Sequence, residues 1–167
     1  MKIVHCLLVV VMGSWGPAAM AHPSKPTPPA SSSPLPAAEA GTPTATIEAF
    51  HSSLSAGDRE GAFSWLDPNV MIFESGGAEM SREEYASHHL ESDMAFAGAT
   101  KTEVVDRQAR SAGDTAWVLS RTRTTGQFRD RPVDVDGVET MILQRDAGHW
   151  RIVHIHWSTH DRKSKKK

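Results

Sequence analysis

The 167-residue sequence contains a single cysteine, Cys6. Because Cys6 lies in the apolar N-terminal stretch, the rest of the sequence offers neither a disulfide nor a thiol for catalysis or metal binding. Long apolar runs are also lacking. The longest, from Ile3 to Trp15, is too short to span a bilayer as a stable helix and is interrupted by Gly13, which disfavours an uncleaved membrane anchor.

The first 21 residues are typical of a secretory signal peptide. A short basic start, Met1-Lys2, precedes the apolar run, and Ala19-Met20-Ala21 has the small-x-small form of a cleavage site. We expect cleavage after Ala21 and no membrane span in the mature protein. The sequence therefore predicts a periplasmic or secreted protein whose mature form has no cysteine.

Low-complexity segments flank one candidate domain. Residues 22–44 are dominated by proline, serine, alanine and threonine, which cannot bury a core and predict a disordered linker. Residues 161–167 form a basic tail that is typical of a solvated terminus. Between residues 46 and 160, 11 Lys and Arg stand against 18 Asp and Glu, which argues against nucleic acid as a partner. One compact domain, residues 45–160, remains.

In this domain, helices come first and strands afterwards. An apolar stripe from Ile47 to Leu54 predicts the first helix, Asp58 can cap a second, and Ser81 opens a third that extends to about Glu91. A short strand, residues 70–73, lies between the second and third helices. Four further strands are predicted at residues 102–109, 115–125, 133–145 and 150–159. This order indicates an α+β fold.

Several stretches of the domain share the pattern of one known family: Phe50–Asp58, Leu66–Val70, the turn after Phe73, and Gly148–His154. They resemble the SnoaL-like branch of the nuclear transport factor 2-like superfamily over residues 44–160. The resemblance implies a cone with an internal pocket, in which a curved antiparallel β-sheet wraps around N-terminal helices. Relatives range from isomerases, cyclases and dehydratases to non-catalytic binders, so this fold does not settle the function.

The segment from His149 to Ser158 alternates as a strand does, yet it is apolar on both faces. On a regular strand, one face carries Trp150, Ile152, His154 and His156. The other face carries Val153, Ile155 and Trp157. Such a sheet fits helices on its concave side and a second subunit on its convex side. We therefore expect a homodimer through the convex face, which the resemblance also implies.

Candidate site residues come from the strands and the third helix. His154 and His156 share a strand face, and Tyr85 and His89, at i and i+4, share a helix face. Burial raises the pKa of a carboxyl and a nearby imidazolium lowers it, so a Glu–His pair is suited to acid–base chemistry. The candidate catalytic residues are His89 and Glu74. The predicted ligand-binding pocket comprises Tyr85, His89, Trp117, Glu139, His154 and His156.

Three functions remain open. The favoured one is binding of a small, largely apolar ligand in this His-lined pocket, without turnover and without a cofactor. The second is lyase or isomerase-type acid–base chemistry by a His/Glu pair. The third is binding of copper or zinc by His89, His154 and His156, since imidazoles are good ligands for both metals. The histidines as scaffold, in a tethered interaction domain, are a further alternative.

Overall fold

The structure is a computed structural model that describes residues 41–162. The predicted signal peptide lies outside the described residues, as do the predicted linker up to residue 40 and the tail from residue 163. The first helix begins at Pro43, so the last residues assigned to the linker belong to the folded domain. None of the helices within residues 41–162 is long and apolar enough to cross a membrane.

Among residues 41–162, three of the four helices have clear sequence causes. Thr42 and Gly57 bound the first, because the Thr42 side chain accepts from the Ala45 N–H and Gly57 takes the left-handed φ of 68°. Asp58 and Ser81 cap the second and third helices through their side chains. The helices are α1 (Pro43–Ala56), α2 (Arg59–Trp65), α3 (Arg82–His88) and α4 (Leu90–Ala99).

Helix α4 covers a stretch after Glu91 for which the sequence predicts neither a helix nor a strand. The backbone of His89 leaves regular helical geometry at φ −115° and ψ −28°, and the chain then begins a new helix at Leu90. Leu90 and Met94 of this helix are buried in the core. Because only these two of its residues are buried, α4 has a weak amphipathic pattern, and tertiary packing rather than sequence periodicity decides its presence.

Six strands form one open sheet in the order β2-β1-β6-β5-β4-β3. Every neighbouring pair is antiparallel except β1 and β6, which are parallel. The α+β fold with N-terminal helices and a sheet is confirmed, and the sheet is mixed rather than wholly antiparallel. The strands are β1 (Leu66–Glu74), β2 (Gly77–Glu79), β3 (Thr100–Ala112), β4 (Thr115–Phe128), β5 (Arg131–Asp146) and β6 (His149–Asp161).

Two one-residue β-bulges decide which side chains face the helices. In β3, Val104 pairs with Thr122 and Asp106 with Arg121, so Val105 is unpaired. In β6, Ile152 pairs with Leu143 and His154 with Ile142, so Val153 is unpaired. A bulge bends its strand and increases the local twist, and it also exchanges the two faces for every later residue.

The bulge at Val153 changes the face of the β6 histidines. Before it, Trp150 and Ile152 are buried on the inner face; after it, the inner side chains are Ile155 and Trp157. The common face predicted for Trp150, Ile152, His154 and His156 is therefore wrong. A regular two-residue alternation cannot accommodate the extra residue.

The core lies between α1, the shorter helices and one part of the inner sheet face. Full burial of each large apolar side chain there stabilises the fold by about 1.5–3 kcal/mol. From the helices it contains Ile47, Phe50, Leu54, Ala62, Tyr85, Ala86, Leu90 and Met94. From the strands it contains Leu66, Val70, Ile72, Ala116, Val118, Met141, Leu143, Trp150, Ile152 and Ile155.

Candidate ligand-binding cavity

A cavity follows the core along the inner face of the sheet, because the inward side chains change in size and polarity. On β4, Ala116 and Val118 are core residues, whereas the later inward positions Ser120, Thr122 and Thr124 carry hydroxyls. On β5, the corresponding change is from Leu143 and Met141 to Glu139 and Gly137. Small and polar inward residues cannot fill the space that large apolar ones fill.

The cavity has a volume of about 410 Å³, within the range of roughly 300–1,000 Å³ that is typical of small-molecule sites. Its apolar lining residues are Leu54, Phe96, Ala97, Val104, Val138 and Trp157. Its hydroxyl-bearing lining residues are Ser52, Ser55, Thr100, Thr102, Thr122, Thr124, Ser158 and Thr159. Its titratable lining residues are Glu48, His51, Glu74, Asp93, Arg107 and Glu139. A ligand of mixed character fits such a lining.

A polar row crosses five strands at the boundary between core and cavity. Each of the five strands contributes one residue, and each of these residues is paired with the next one across the sheet. From β3 to β1, the row is Arg107, Ser120, Glu139, Trp157 and Glu74. Side chains that are directly opposite on neighbouring strands lie within contact distance, so the register itself assembles this row.

Glu139 is the centre of the row and is ionised. Its Oε2 accepts from His51 Nε2 at 2.8 Å and from the Trp157 indole N–H at 2.9 Å, and its Oε1 accepts from Ser120 Oγ at 3.2 Å. Burial alone would raise the pKa of Glu139, but His51, the Trp157 bond and the Arg107 charge together lower this pKa to about 2.

Arg107 supports the row from β3. Its side chain is 8% exposed, its Nε donates to Ser120 Oγ at 3.0 Å, and its Nη1 donates to Glu48 Oε1 at 3.3 Å. Glu48 lies on α1, one turn before His51. Through Glu48 and His51, α1 therefore joins both the arginine and the carboxylate of the sheet.

A second set of acids lies at the β1 end of the cavity. The Tyr85 hydroxyl donates to Asp93 Oδ2 at 2.8 Å, and Asp93 and Glu74 both line the cavity. Burial, followed by the charge of Asp93, raises the pKa of Glu74. Burial also raises the pKa of Asp93, although the Tyr85 hydrogen bond opposes the rise. Both carboxyls therefore protonate at a higher pH than ordinary carboxyls do.

Glu79 and His89 lie behind this second set. The carboxylate of Glu79 is buried and contacts His89 Nδ1, and the charge of His89 lowers the pKa of both Glu74 and Asp93. The side chain of His89 is 57% exposed. The burial of Tyr85 and the charge of Asp93 raise the pKa of the Tyr85 hydroxyl, so it stays protonated.

The structure brings together some of the predicted site residues. Glu74 and Glu139 line the cavity and belong to the same polar row. Tyr85 is 1% exposed in the core and contacts the cavity only through Asp93. His89 contacts Glu79 and does not line the cavity. The predicted pair of His89 and Glu74 is therefore related by charge rather than by a hydrogen bond.

Three predicted pocket residues lie on the outer face instead. Trp117 alternates with the buried Ala116 and Val118 and is 36% exposed. His154 donates through Nδ1 to the Met71 carbonyl oxygen at 2.9 Å. His156 follows on the same outer face and is exposed. The pocket assignment of Trp117, His154 and His156 is a correction that strand alternation and the Val153 bulge explain.

The alternative metal set does not come together. His89 contacts Glu79 beside the core residue Ile72, whereas His154 and His156 are on the opposite face of the sheet. Within residues 41–162, no group of three or more His, Cys, Asp or Glu side chains is placed to hold a metal ion.

Four titratable cavity residues were not among the predicted site residues: Glu48, His51, Asp93 and Arg107. A signal existed for His51, because it is one helical turn from Ile47 and shares that face of α1. Asp93 belongs to α4, which the sequence pattern does not predict. The inward direction of Arg107 depends on the bulge at Val105.

Comparison with known proteins gives a family match over the whole domain. Residues 44–161 match the sequence model of the SnoaL-like domain. Among curated proteins, none matches the sequence. A solved structure from Shewanella frigidimarina NCIMB 400, provisionally described as a ketosteroid isomerase, is 33% identical with a TM-score of 0.66. The alignment covers 68% of this chain and 92% of that one.

Other solved structures are similar in fold only. An NTF2-like protein of unknown function from Pseudomonas putida KT2440 is 19% identical, with a TM-score of 0.60 and coverage of 74% of this chain and 88% of that one. The CaMKII hub of S. rosetta is 22% identical, with a TM-score of 0.59 and coverage of 75% and 100%. Proteins with this fold therefore include a hub domain as well as a protein of unknown function.

Proposed function

The chain belongs to the SnoaL-like domain family, as its sequence predicted, and we propose that it binds a small, largely apolar compound in the cavity. The observation that carries this proposal is the abrupt change of inward side chains beyond the polar row, which leaves about 410 Å³ of open space beside a packed core. Trp157 and Phe96 offer aromatic contact surface to a ligand, and the surrounding hydroxyls offer hydrogen bonds to its oxygen atoms.

The binding test is a thermal melt with adamantane-1-carboxamide, a compact, neutral and apolar probe. We expect the compound to raise the Tm in proportion to the logarithm of its concentration above the Kd. Ala97→Phe, which places a ring in the cavity, should abolish the shift. Ala95→Phe is the matched control, because Ala95 is exposed on the same helix. No shift in the unchanged protein, or equal shifts in both variants, would contradict the proposal.

A second function, isomerase or lyase-type acid–base catalysis, has support from a specific observation. Asp93 and Glu74 line the cavity, and burial raises the pKa of each above that of an ordinary carboxyl, which favours a role in proton transfer. In this role, one carboxylate removes a proton beside a carbonyl group of the ligand and returns it to another carbon. The relative provisionally described as a ketosteroid isomerase makes a ketosteroid a reasonable first substrate.

The enzymatic test uses a β,γ-unsaturated 3-ketosteroid, because its conjugated product absorbs in the ultraviolet. If the protein is an isomerase, Asp93→Asn or Glu74→Gln should lower kcat by about 100-fold or more, as expected for loss of a general base. Glu91→Gln is the control on the exposed side of α4. Absorbance that grows no faster than in buffer alone would reject this substrate class and leave binding without turnover.

We also propose that two copies associate through the outer sheet face. Two rows of side chains cross this face. The most exposed apolar residues in them are Met71, Phe73, Trp117 and Leu119, which are 36–44% exposed. The first row is Met71, His154, Ile142 and Trp117; the second is Phe73, His156, Thr140 and Leu119. Such a contiguous apolar band is typical of an interaction surface.

Light scattering during size-exclusion chromatography tests this association. A dimer is expected for the unchanged protein, and Leu119→Arg should give a monomer because it places an unpaired charge in the interface. Glu103→Arg is the control, since Glu103 is an exposed residue of the edge strand β3 that forms a surface salt bridge with Lys101. A monomeric unchanged protein would contradict the dimer.

Finally, we propose that the protein acts outside the cytoplasm. The basic start, the short apolar run and the Ala19-Met20-Ala21 motif support this localisation. Expression of the full sequence in a Gram-negative host, followed by N-terminal sequencing of the periplasmic fraction, should give a protein that begins at His22. Recovery of uncleaved protein from the cytosol would contradict export.

A further inference from the structure

Arg107 has more hydrogen-bonding capacity than its neighbours use. An arginine side chain carries five N–H donors. Two of them are engaged, one from Nε to Ser120 and one from Nη1 to Glu48, which leaves three. Among residues 41–162, Arg107 Nη2 has no hydrogen-bond partner. A cation with 8% side-chain exposure and unused donors is costly unless a ligand or water completes its shell.

The unused donors are open to the cavity. In the part of the chain that the structure describes, Arg82 Nε is the only fully enclosed side-chain nitrogen or oxygen without a partner. Arg107 Nη2 therefore retains contact with open space, and Arg107 is one of the residues that line the cavity. Its guanidinium is consequently available to a bound molecule.

Two carboxylates lie near Arg107, Glu139 within the range of its charge and Glu48 at a hydrogen-bond distance, and neither uses its remaining N–H donors. Glu139 already accepts three hydrogen bonds from other donors and directs none of its oxygens to Arg107. Glu48 makes one contact at 3.3 Å, and its side chain is 47% exposed, so solvent weakens this pair. An anionic group that enters the cavity can displace Glu48 at little cost.

A second hydroxyl lines the cavity on the strand that carries Ser120, the residue that contacts Arg107 Nε. Thr122 is one inward position beyond Ser120 on β4, and its hydroxyl makes no hydrogen bond to another described residue. Gly137 lies opposite, where a Cβ atom would come within 2.5 Å of Thr122 Oγ1. The glycine thus leaves the hydroxyl uncovered. Thr122 can supply a neutral donor beside the two donors of an arginine fork.

We infer that Arg107 anchors a carboxylate of the ligand, with Thr122 as an additional donor, so that the cavity selects small apolar monocarboxylic acids. The inference rests on the proposed binding function and adds the ligand class. The carboxylate faces the polar row, where the planar guanidinium matches its two oxygens. The hydrocarbon body lies against Trp157, Phe96 and Val104.

Calorimetric titration at pH 7 with two isosteric probes tests the inference. Adamantane-1-carboxylate is charged and adamantane-1-carboxamide is neutral, while their hydrocarbon bodies are identical. We expect the carboxylate to bind at least about tenfold more tightly, as for a charge-assisted hydrogen bond. Arg107→Gln should abolish this preference, because only the carboxylate gains from the positive charge of the guanidinium. Arg110→Gln, an exposed position on the same strand, should retain it.

A second variant keeps the test decisive if Arg107→Gln does not fold. Glu48→Gln removes the carboxylate that competes with the ligand for Arg107, so it should increase the preference for the carboxylate over the carboxamide by about threefold. Equal affinities for the two probes in the unchanged protein, or a preference that survives Arg107→Gln, would overturn the anchor and preserve the binding function. Binding of neither probe would overturn both.

Discussion

Glu139 and Glu74 belong to the same polar row, yet their surroundings push their ionisation in opposite directions. Glu139 is the more deeply buried of the two and has its pKa lowered to about 2, whereas Glu74 is only half-buried and has its pKa raised. If burial alone decided, Glu139 would have the higher pKa. The comparison shows that hydrogen-bond donors and nearby cations, rather than depth, set the charge of each acid.

The donors explain the difference. Glu139 accepts from His51, Trp157 and Ser120, and these contacts offset the cost of desolvation. The Glu74 carboxyl makes no hydrogen bond to another described residue, and the nearby Asp93 adds a like charge. A cavity with one fixed anion and two readily protonated acids has distinct ends, which is the arrangement expected for an oriented ligand or for acid–base chemistry.

The largest effect on stability is expected for Glu139→Ala. The substitution leaves three donors without their acceptor and creates a void at the edge of the core, so we expect a loss of about 3–5 kcal/mol in the free energy of unfolding. Urea denaturation measures it. Glu103→Ala, on the exposed part of β3, is the control, and a similar loss there would mean that the row is not responsible.

The pH dependence of stability sharpens the same contrast. Because the pKa of Glu139 is lowered from 4.5 to about 2 in the fold, its ionisation stabilises the protein above pH 4.5, and this contribution disappears as the pH falls through about 2. Glu139→Gln should therefore be less stable than the unchanged protein above pH 4.5, by up to about 3 kcal/mol. The two free energies should converge near pH 2. A constant difference from pH 2 to 6 would refute the assignment.

A smaller effect is expected for Tyr85→Phe at the other end. The Tyr85 hydroxyl lowers the pKa of Asp93 against the effect of burial, so its removal should raise the pKa of Asp93 further. Since the folded-state pKa of Asp93 is already raised, its contribution to stability is lost as the pH rises through that pKa. At pH values above the pKa of Asp93, the free energy of unfolding of Tyr85→Phe should be about 1–2 kcal/mol lower than that of the unchanged protein. At lower pH the loss should be smaller.

Carboxyl-carbon NMR measures the pKa of Asp93 directly during a pH titration of both proteins. An unchanged Asp93 pKa in Tyr85→Phe, despite an unchanged fold, would separate the tyrosine from the acid. Glu139 serves as the internal reference, because none of its hydrogen-bond donors is altered.

The smallest effect is expected on the outer face. His154→Phe removes a surface imidazole that contacts the Met71 carbonyl oxygen and lies outside the cavity. Its effect on stability should stay within about 0.5 kcal/mol, and the affinity for an adamantane probe should not change. A loss of binding equal to that of Ala97→Phe would mean that the ligand binds at the outer face of the sheet and not in the cavity.

Much of the fold was predictable because its signals are local. The stripe from Ile47 to Leu54, the caps at Asp58 and Ser81 and the alternating strands each depend on a few neighbouring residues. Helix α4 was not predictable in this way, since it is stabilised by the packing of Leu90 and Met94. The site was only partly predictable: Glu74 and Glu139 line the cavity, whereas Trp117, His154 and His156 do not.

The sequence by itself determined the helices-then-strands order, the family and the presence of charged residues within apolar strands. The reason is that caps, turns and periodicity each depend on a few consecutive residues. Only the tertiary structure decided which charged side chains lie close to one another. Unpaired residues at Val105 and Val153 exchange the faces of β3 and β6, which directs Arg107 and Trp157 inward and the two β6 histidines outward. A bulge depends on pairing with a neighbouring strand, so the alternation of one strand alone cannot reveal it.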